Sequence, residues 1–451
     1  MLRIGIILSI ILALHVSNAC AAEAPWRVGV ARVNITPELP IWLSGYAARN
    51  KPAAEMLDDL WAKALVLEDG ADHRAVLVTM DLVGIDRSLS REVCRRIEQQ
   101  HQLPRMAIAL ATSHTHSGPV MRGNLVPMYA LNEDQTARVQ NYAVQLADNL
   151  VDVVGDAIAT LAPARLSWGT GTATFAVNRR NNPEGQVVKR RQENGLVGPV
   201  DHDVPVLAIH DSEGRLRAVV AGYACHATVL SGYHISADWP GAAQNEFERR
   251  HPNTVMLFWA GCGADQNPLP RRSVALMNEY GRQFADAIDA MLDAPLTPIA
   301  PSLRTAYEEI DLPFGPLPTR AELELTATGE RPQGPWARYL LSVWEDNGGL
   351  PKTYPYPIQA WRLGTDVAWV FLGGEVVVDY ALRLKSELDG KNTWVASYSN
   401  DVMGYIPSRR VLAEGGYEGG LARFPYGLPA VWDPNVEQQI IDAVTELTGT
   451  D

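Results

Sequence analysis

The segment 106–119 constrains the fold and the chemistry of this chain more than any other. It begins with an apolar run typical of a buried strand and ends with a Gly-Pro pair, where the chain must leave a sheet. His114 and His116 lie between these two features. Residues two apart on a strand point to the same side, so both imidazoles are expected to face one point in space. Imidazole is a preferred ligand of zinc, and the pattern therefore predicts a metal site at the end of a strand.

A His-x-His pair alone is a weak signal, because exposed or hydrogen-bonded histidines are more frequent than metal ligands. His226 also follows an apolar run, although a hydrogen-bonded core histidine is an alternative there. Glu375 follows a Gly-Gly pair after the apolar run 367–372 and is expected to begin a helix. A helix dipole would favour that carboxylate even without a metal, so both interpretations remain open.

The composition excludes some classes of partner. The chain has 451 residues, 47% of them hydrophobic, and a formal net charge of −13. This composition is that of a globular protein, and the negative charge argues against a nucleic-acid partner. Residues 22–451 are expected to form a single domain, with a surface excursion near 311–356.

The N-terminus carries the pattern of a secretory signal peptide. Arg3 precedes the largely apolar run 4–16, and Ala19-Cys20-Ala21 supplies the small residues of a cleavage site. Residues 1–21 are therefore predicted to be a signal peptide with cleavage near Ala21, and the mature protein to be secreted or periplasmic. Lipid attachment at Cys20 is the less favoured alternative, because the preceding residues lack the expected leucine.

Three cysteines remain after the predicted cleavage site: Cys94, Cys225 and Cys262. Three cysteines in an exported chain of this size indicate that a hydrophobic core supplies the stability, because at most one disulfide can form. A bridge between Cys225 and Cys262 is one alternative, and buried free thiols are the other.

Strand-like and helical patterns alternate along the chain, which predicts an α/β fold with a layered mixed β-sheet core flanked by helices, an α+β arrangement being the alternative. The expected metal site lies at strand ends. The predicted strands are 28–33, 61–67, 75–79, 106–112, 164–171, 204–209, 216–223, 254–259, 358–363, 367–372 and 393–398. The predicted helices are 88–100, 137–161, 238–250, 274–292, 319–326 and 436–447.

Two loops attract attention. The polar segment 178–199 has a length typical of a lid or a binding loop, disorder being the alternative. The Gly-rich segment 260–268 follows a strand, where backbone N–H groups can bind an oxyanion, or simply form a tight turn. Its spacing does not match a nucleotide-binding motif.

Five segments of the sequence resemble motifs of the N-terminal catalytic domain of the neutral/alkaline, non-lysosomal ceramidase family, and their order and rough separation also match. They span nearly all of the mature chain. They are Asn34-Ile-Thr-Pro37 with Gly45-Tyr46-Ala47, Thr112-Ser-His-Thr-His-Ser-Gly-Pro119, Asn178-Arg179, Cys225-His226-Ala227-Thr228 with Ser236-Ala-Asp238, and Tyr405 with Tyr417-Glu418-Gly419.

The resemblance implies one zinc ion per chain and hydrolysis of an amide bond. In such a reaction zinc lowers the pKa of a bound water and polarises the carbonyl, while a nearby acid or hydroxyl serves the leaving amine. The ligands implied by motif position are His114, His116, His226, Glu375 and Tyr405. Arg179 and Tyr417 fall where the family has groups that contact the substrate near the metal.

The chain departs from the family pattern in two places. The family has a serine in the Gly-rich loop beside the zinc, whereas residues 263–268 contain none, and Asp265 or Gln266 is expected to act there instead. The sequence ends at Asp451, so we expect no counterpart of the family's C-terminal immunoglobulin-like domain.

Three hypotheses about function follow. The first is a secreted zinc-dependent amidohydrolase acting on an acylated amine or a ceramide-like lipid, with peripheral contact with membrane lipid. The second retains the zinc but cleaves an acyl ester, because a polarised carbonyl is attacked in either case. The third is a catalytically impaired extracellular binding module, suggested by the absent loop serine.

Overall fold

The computed structural model describes residues 25–330 and 332–449. The predicted signal peptide and Cys20 lie outside the described residues. Within these ranges, no helix has both the length and the apolar character needed to cross a bilayer.

The described residues form strands β1–β19 and helices α1–α11. The strands are β1 (Trp26–Asn34), β2 (Glu55–Met56), β3 (Trp61–Glu68), β4 (Arg74–Met80), β5 (Ile108–Thr112), β6 (Ala162–Thr172), β7 (Ala176–Asn178), β8 (Asp203–Asp211), β9 (Leu216–Tyr223), β10 (His234–Ile235), β11 (Val255–Ala260), β12 (Gln266–Pro268), β13 (Thr297–Pro298), β14 (Leu303–Pro313), β15 (Thr353–Leu363), β16 (Val367–Leu372), β17 (Glu375–Val376), β18 (Thr393–Ala396) and β19 (Tyr405–Ile406). The helices are α1 (Arg87–His101), α2 (Glu133–Ala159), α3 (Val187–Gln192), α4 (Asp238–Arg250), α5 (Val274–Leu292), α6 (Arg320–Ala327), α7 (Gln333–Asn347), α8 (Val378–Glu387), α9 (Arg409–Glu414), α10 (Arg423–Tyr426) and α11 (Val436–Gly449).

The largest element is a nine-stranded mixed sheet. Its order is β11-β9-β8-β6-β1-β3-β4-β5, with β13 paired to β6. In this order β5 and β11 are the two edges of the sheet, and each pairs in parallel with its neighbour, β4 or β9. The sheet is strongly curved, since Lys63 on β3 donates a hydrogen bond to the Met256 carbonyl on β11 across 2.7 Å.

The end of β18 and the segment that follows it join the two edges of this sheet. Ala396 forms a bridge with Gly261, just after β11, and Ser399 forms one with Ala111 in β5. The Asn400 N–H also donates to the Leu110 carbonyl at 2.7 Å. The carboxyl ends of strands from both sides of the sheet are thereby held close together.

The structure has four layers, and the hydrophobic core lies between neighbouring layers. Helices α1 and α2 pack on one half of the outer face of the large sheet, and α4 and α5 pack on the other half. The inner face is covered by a four-stranded sheet of order β14-β15-β16-β18, whose far face carries α8 and α11. The core between the sheets contains three buried tryptophans of the smaller sheet, Trp361, Trp369 and Trp394. Such large apolar rings dominate core stability, and here they fix the small sheet on the large one.

The structure confirms the predicted fold class, a layered mixed sheet flanked by helices. The predicted hairpin at 204–223 is the antiparallel pair β8–β9. The three cysteines among the described residues are buried and free, so the predicted alternative of a bridge between Cys225 and Cys262 is not formed.

One local prediction is wrong, and one region contains a helix that was not predicted. Glu375 does not begin a helix: it lies in β17, which pairs with Tyr405–Ile406, and α8 starts at Val378. This pairing requires extended backbone, and Gly374 turns the chain into it with a φ of +74°. Residues 311–356 contain the end of β14, α6, a second helix α7 that the sequence did not indicate, and the start of β15. The two helices share a small apolar cluster with Phe424, which explains why they fold together.

The polar segment 178–199 is also more ordered than a loop. It contains α3, and Asn182 in this segment is buried. The Asn182 side chain donates to the carbonyls of Asn178 and Val197, which ties the two ends of the segment together.

Candidate metal centre

Three histidines converge where the strand ends meet. His114 and His116 follow β5, and His226 follows β9. One ring nitrogen from each lies within 4.8 Å of the others, and Nε2 of His114 is 3.1 Å from Nε2 of His116. The predicted convergence is confirmed, but its expected cause is wrong. Strand β5 ends at Thr112, and His114 has a φ of +60°, so the loop and not strand alternation brings the two rings together.

Hydrogen bonds at the far side of two rings fix which nitrogen faces the centre. Nδ1 of His114 donates to the Val83 carbonyl at 2.5 Å, and Nδ1 of His226 donates to the Gly263 carbonyl at 2.7 Å. A carbonyl oxygen only accepts, so each Nδ1 carries the hydrogen, and the Nε2 lone pair of a neutral ring points inward. This is the arrangement found around histidine ligands of metals.

Glu375 completes one side of the centre. Its Oε2 lies 3.1 Å from Nε2 of both His114 and His226, and its Oε1 accepts from the Tyr426 hydroxyl at 2.5 Å. Oε2 is buried and has no hydrogen-bond donor among the described residues. Lone pairs of nitrogen and oxygen therefore face one another at short range, which costs free energy unless a cation lies between them.

Tyr405 brings the fifth predicted group to the same place. Its hydroxyl oxygen is 3.4 Å from Nε2 of His226, and Nη2 of Arg179 donates to it at 3.0 Å. Burial and the Glu375 carboxylate raise the pKa of Tyr405 well above its usual value. Arg179 is anchored by Glu418, whose Oε1 accepts from Nε at 2.7 Å. A guanidinium thus lies against the phenol oxygen and favours negative charge there.

The donor set fits a divalent metal ion. The groups are three imidazoles, one carboxylate and one phenol, all predicted from the sequence, and the structure brings them together. Burial lowers the pKa of His226 to about 4 and that of His116 well below its usual value, so both rings are neutral at pH 7. Neutral imidazoles with a carboxylate are ligands suited to zinc and other first-row transition metals.

A glycine makes room for His116. Gly45 has a φ of +91°, and a Cβ atom at this position would lie 2.4 Å from Cγ and Nδ1 of the His116 ring. The Tyr46 ring contacts the same imidazole edge-on, with centroids 4.9 Å apart. The Gly-Tyr pair of the first motif therefore shapes the pocket that holds a histidine.

Tyr417 lies at the open side of the centre. Its side chain is 42% exposed, and its ring centroid is 5.3 Å from that of Tyr405. It begins a short π-helical turn, Tyr417–Leu421, of a kind often found at functional sites. Burial and Glu375 raise the pKa of Tyr417, so its hydroxyl keeps its hydrogen and can donate it to a bound molecule.

Asp265 does not lie in contact with the histidines. Its Oδ1 accepts from the Val378 N–H at 3.0 Å and its Oδ2 from the Asn178 amide at 2.9 Å. The Gln266 side chain donates to the Pro199 carbonyl at 3.3 Å. Both side chains are fully buried; both oxygens of Asp265 are engaged in these bonds, whereas Oε1 of Gln266 has no hydrogen-bond partner among the described residues. We therefore interpret Asp265 as a positioning residue, whereas the expectation that Gln266 acts in place of the absent serine stays a prediction.

The backbone of the same loop connects the elements of the centre. The His226 N–H donates to the Gln266 carbonyl at 3.0 Å, and the Arg179 N–H to the Asp265 carbonyl at 2.9 Å. The Ala264 N–H donates to the Val376 carbonyl at 3.2 Å, next to Glu375. The Gly-rich loop therefore holds three ligand-bearing or ligand-contacting segments in one arrangement.

Sequence reasoning missed two supports of the centre. Tyr426 holds one oxygen of Glu375, and the Tyr398 ring packs on the His114 ring with centroids 4.3 Å apart. Neither has a local sequence signal, because both reach the centre only through the folded chain. Glu418 belonged to a recognised motif, but its role as the partner of Arg179 follows from the structure alone.

The fold and the site define a layered α/β protein with a buried three-histidine centre suited to a metal ion. The family model described as "Neutral/alkaline non-lysosomal ceramidase, N-terminal" matches residues 26–262. This match includes the three histidines and stops before Glu375 and Tyr405. The chain belongs to the neutral/alkaline non-lysosomal ceramidase family.

Individual relatives are more distant. The chain is 25% identical over 247 residues to the neutral ceramidase of Drosophila pseudoobscura pseudoobscura, covering 53% of this chain and 34% of the relative. It is also 25% identical over 250 residues to that of Drosophila melanogaster, covering 54% and 35%. The chain thus spans about a third of the length of these curated relatives.

Two solved structures share the fold. The neutral ceramidase from Pseudomonas aeruginosa superposes with a TM-score of 0.71 and 21% identity, over 94% of this chain and 74% of that one. A ceramidase complexed with C2 gives the same TM-score at 20% identity, over 94% and 75%. The likeness extends beyond the matched family region, since it covers 94% of this chain.

The interpretation of Asp265 predicts the effect of removing its carboxylate. Asp265→Ala leaves the buried Val378 N–H and the Asn178 amide without acceptors, which costs about 1–3 kcal/mol per unpaired group. We expect a free energy of unfolding lower by at least about 2 kcal/mol, together with weaker metal binding, because the loop no longer fixes the segments that it joins. Urea unfolding and metal titration measure the two effects.

The matched control is Asp148→Ala, which removes a carboxylate that is 57% exposed in an ion pair with Arg96. Such a pair contributes about 0–1 kcal/mol, so little change is expected. If Asp265→Ala unfolds like this control and binds metal normally, the positioning role is wrong.

The low pKa of His226 predicts how stability depends on pH. A histidine in an unfolded chain titrates near pH 6.5, whereas burial lowers the pKa of His226 to about 4 in the folded protein. Between these values the unfolded state binds more protons, so stability is lost as the pH falls from about 6.5 to about 4. Both proteins are treated with a chelator. Over this pH range, we expect the free energy of unfolding of the His226→Gln variant to fall by up to about 3 kcal/mol less than that of the wild-type protein.

Urea unfolding at a series of pH values checks this prediction, and His234→Gln is the control because His234 is exposed. Equal pH dependence in the wild-type and His226→Gln proteins would show that the buried ring is not held neutral.

Proposed function

We propose that this chain is a zinc-dependent hydrolase that cleaves the N-acyl amide bond of a ceramide-like lipid. The observation that carries the proposal is the convergence of three imidazole nitrogens with the Glu375 carboxylate and the Tyr405 hydroxyl. His114, His116, His226, Glu375 and Tyr405 would hold the ion. Zinc bound there supplies a Lewis acid that polarises a carbonyl and lowers the pKa of water.

The residues around the centre suit hydrolysis of an acyl bond. Arg179 lies beside the Tyr405 oxygen, where its fixed positive charge favours a developing negative charge. Tyr417 presents an O–H group at the open side, where it donates a hydrogen bond to the bound acyl group or to the leaving amine. Glu418 restrains both Arg179 and Arg180, which keeps the Arg179 guanidinium aimed at the centre.

The amide substrate is supported by membership in the family and by the names of its relatives. Both fly proteins are called neutral ceramidases, and one similar structure is described as a ceramidase complexed with C2. Ceramide contains an N-acyl amide, and its apolar chains suit peripheral contact with membrane lipid. The absent loop serine does not remove the proposed chemistry, because the five converging groups do not include it.

The role of the centre is tested by His114→Ala, which removes one inward-facing Nε2 atom. We expect about one zinc ion per chain in the wild-type protein and little in the variant. We also expect hydrolysis to fall by about a thousandfold or more, because the Lewis acid is lost. Total metal analysis and turnover of matched N-acyl amide and O-acyl ester substrates measure both quantities, with the exposed His234→Ala as control.

The outcomes separate the three hypotheses. Turnover by metal-free protein would exclude the zinc mechanism, and turnover of esters alone would identify an esterase. Tight zinc binding without turnover of any acyl amide or ester would identify a binding module.

We also propose that residues 1–21 direct export of the chain and are removed near Ala21. The support is the order of Arg3, an apolar run and small residues before the mature chain. Intact-mass and N-terminal analysis of protein expressed from the full sequence should find a chain that begins near Ala22. A lipid-modified Cys20 at the N-terminus would favour membrane anchoring instead, and an unprocessed N-terminus would contradict the proposal.

A further inference from the structure

A cavity of about 400 Å³ lies next to the candidate metal centre but is separate from it. It is bounded by the start of α1, the loop before α2, helix α7 and the segments 401–403 and 426–429. Tyr426 lines this cavity and also donates its hydroxyl hydrogen to Glu375 at 2.5 Å. The Tyr426 side chain therefore stands between the cavity and the centre.

Two buried acceptor oxygens in the lining have no hydrogen-bond partner. Asp86 is 8% exposed; its Oδ1 accepts from the N–H groups of Ser88 and Leu89 at the start of α1, while its Oδ2 has no donor. Asn124 is 4% exposed, and its amide nitrogen donates to the Val402 carbonyl at 2.7 Å, which leaves Oδ1 unpaired. Buried acceptors without partners are rare in folded proteins and indicate a missing donor.

A second carboxylate of the lining lies near Asp86. Asp401 is 4% exposed, and its Oδ2 accepts from the Tyr354 hydroxyl at 2.6 Å. Burial, with Asp86 and Glu309 nearby, raises the pKa of Asp401 to about 7. Arg87 is 4.0 Å from Asp401, but it pairs more closely with Glu309, at 2.6 Å.

The charges around Asp86 and Asp401 do not balance. Glu309 also accepts from Arg91 at 2.9 Å, and Arg122, which lies near Asp86, pairs with Glu92 at 3.4 Å. Three arginines therefore face four carboxylates, those of Asp86, Glu92, Glu309 and Asp401. The missing donor is for this reason expected to carry a positive charge.

The remaining lining favours an organic cation over a metal ion. The walls include Phe314, Tyr339, Leu340, Val343, Met403 and Leu428. A divalent metal requires six or more oxygen ligands in a compact shell, whereas much of this lining is apolar. An alkyl chain suits the apolar walls, and the aromatic rings attract an ammonium group.

We propose that this cavity binds a primary alkylammonium ion. Its three N–H groups donate to Asp86 Oδ2, Asn124 Oδ1 and Asp401, and its alkyl chain lies along the apolar walls. This site is distinct from the metal centre and does not require the proposed hydrolytic activity.

The test uses the full chain and n-hexylammonium chloride as the probe, with isothermal titration calorimetry as the measurement. Hexanol and hexanoate, which carry the same chain without the positive charge, are expected to bind at least tenfold more weakly. Treating the protein with a chelator is expected to leave the hexylammonium affinity unchanged, because the ammonium does not need the metal.

Two conservative variants test the residues. Asp86→Asn keeps a side chain that caps α1 and removes the charge, and Asp401→Asn keeps an acceptor for Tyr354. Each should weaken hexylammonium binding about tenfold or more, whereas Asp152→Asn, an exposed residue of α2, should not change it. Thermal unfolding of each variant verifies that it is folded.

Three results would overturn the proposal. They are no binding of hexylammonium, binding that both Asp86→Asn and Asp401→Asn leave unchanged, and displacement of the probe by Ca²⁺ or Mg²⁺ at the same residues. The third would identify an inorganic cation site. Loss of hydrolytic activity in His114→Ala has no bearing on these results, so failure of either proposal is recognised independently.

Discussion

The segment that joins the two edges of the large sheet is the constraint on which the site depends. Ala396 and Ser399 bridge β11 and β5, and the sheet curves so that these edges approach each other. Parallel strands on both sides then end at one place, which is where ligands are generally bound in α/β sheets. Without this closure, the loop after β5 and the loop after β9 would lie at opposite ends of a sheet of nine strands.

The electrostatics of the centre follow from the bonds behind it. Carbonyl oxygens accept from Nδ1 of His114 and His226, which directs the opposite ring nitrogens inward, and burial lowers the pKa of His226 to about 4, which keeps that ring neutral at pH 7. Glu375 adds a carboxylate that is held from behind by Tyr426. A folded chain retains such an arrangement of facing lone pairs only if other interactions stabilise it, and the bonds of the Gly-rich loop do this.

The Gly-rich loop lacks the serine of the family pattern, and the contacts of the loop show what it does in this structure. Asp265 connects the start of α8 with Asn178, and the loop backbone accepts from His226 and Arg179. The loop thus acts through the geometry that it imposes, and both oxygens of the buried Asp265 carboxylate are engaged. Tyr417, at the open side, and the inward atoms of the centre are groups that can reach a bound molecule.

The sequence by itself determined the fold class, most strands and helices, and the identity of the five converging side chains. These depend on local apolar periodicity, on residue chemistry and on motifs that the family shares. Only the tertiary structure decided how His114 and His116 converge, that Glu375 lies in a strand paired with Tyr405, and that Asp265 is engaged by Val378. It also decided that Tyr426 supports Glu375 and that Asp86, Asn124 and Asp401 surround one cavity. The physical reason is that these contacts join residues far apart in the chain. The directions of their side chains are set by loops, sheet curvature and burial, which local sequence preferences do not determine.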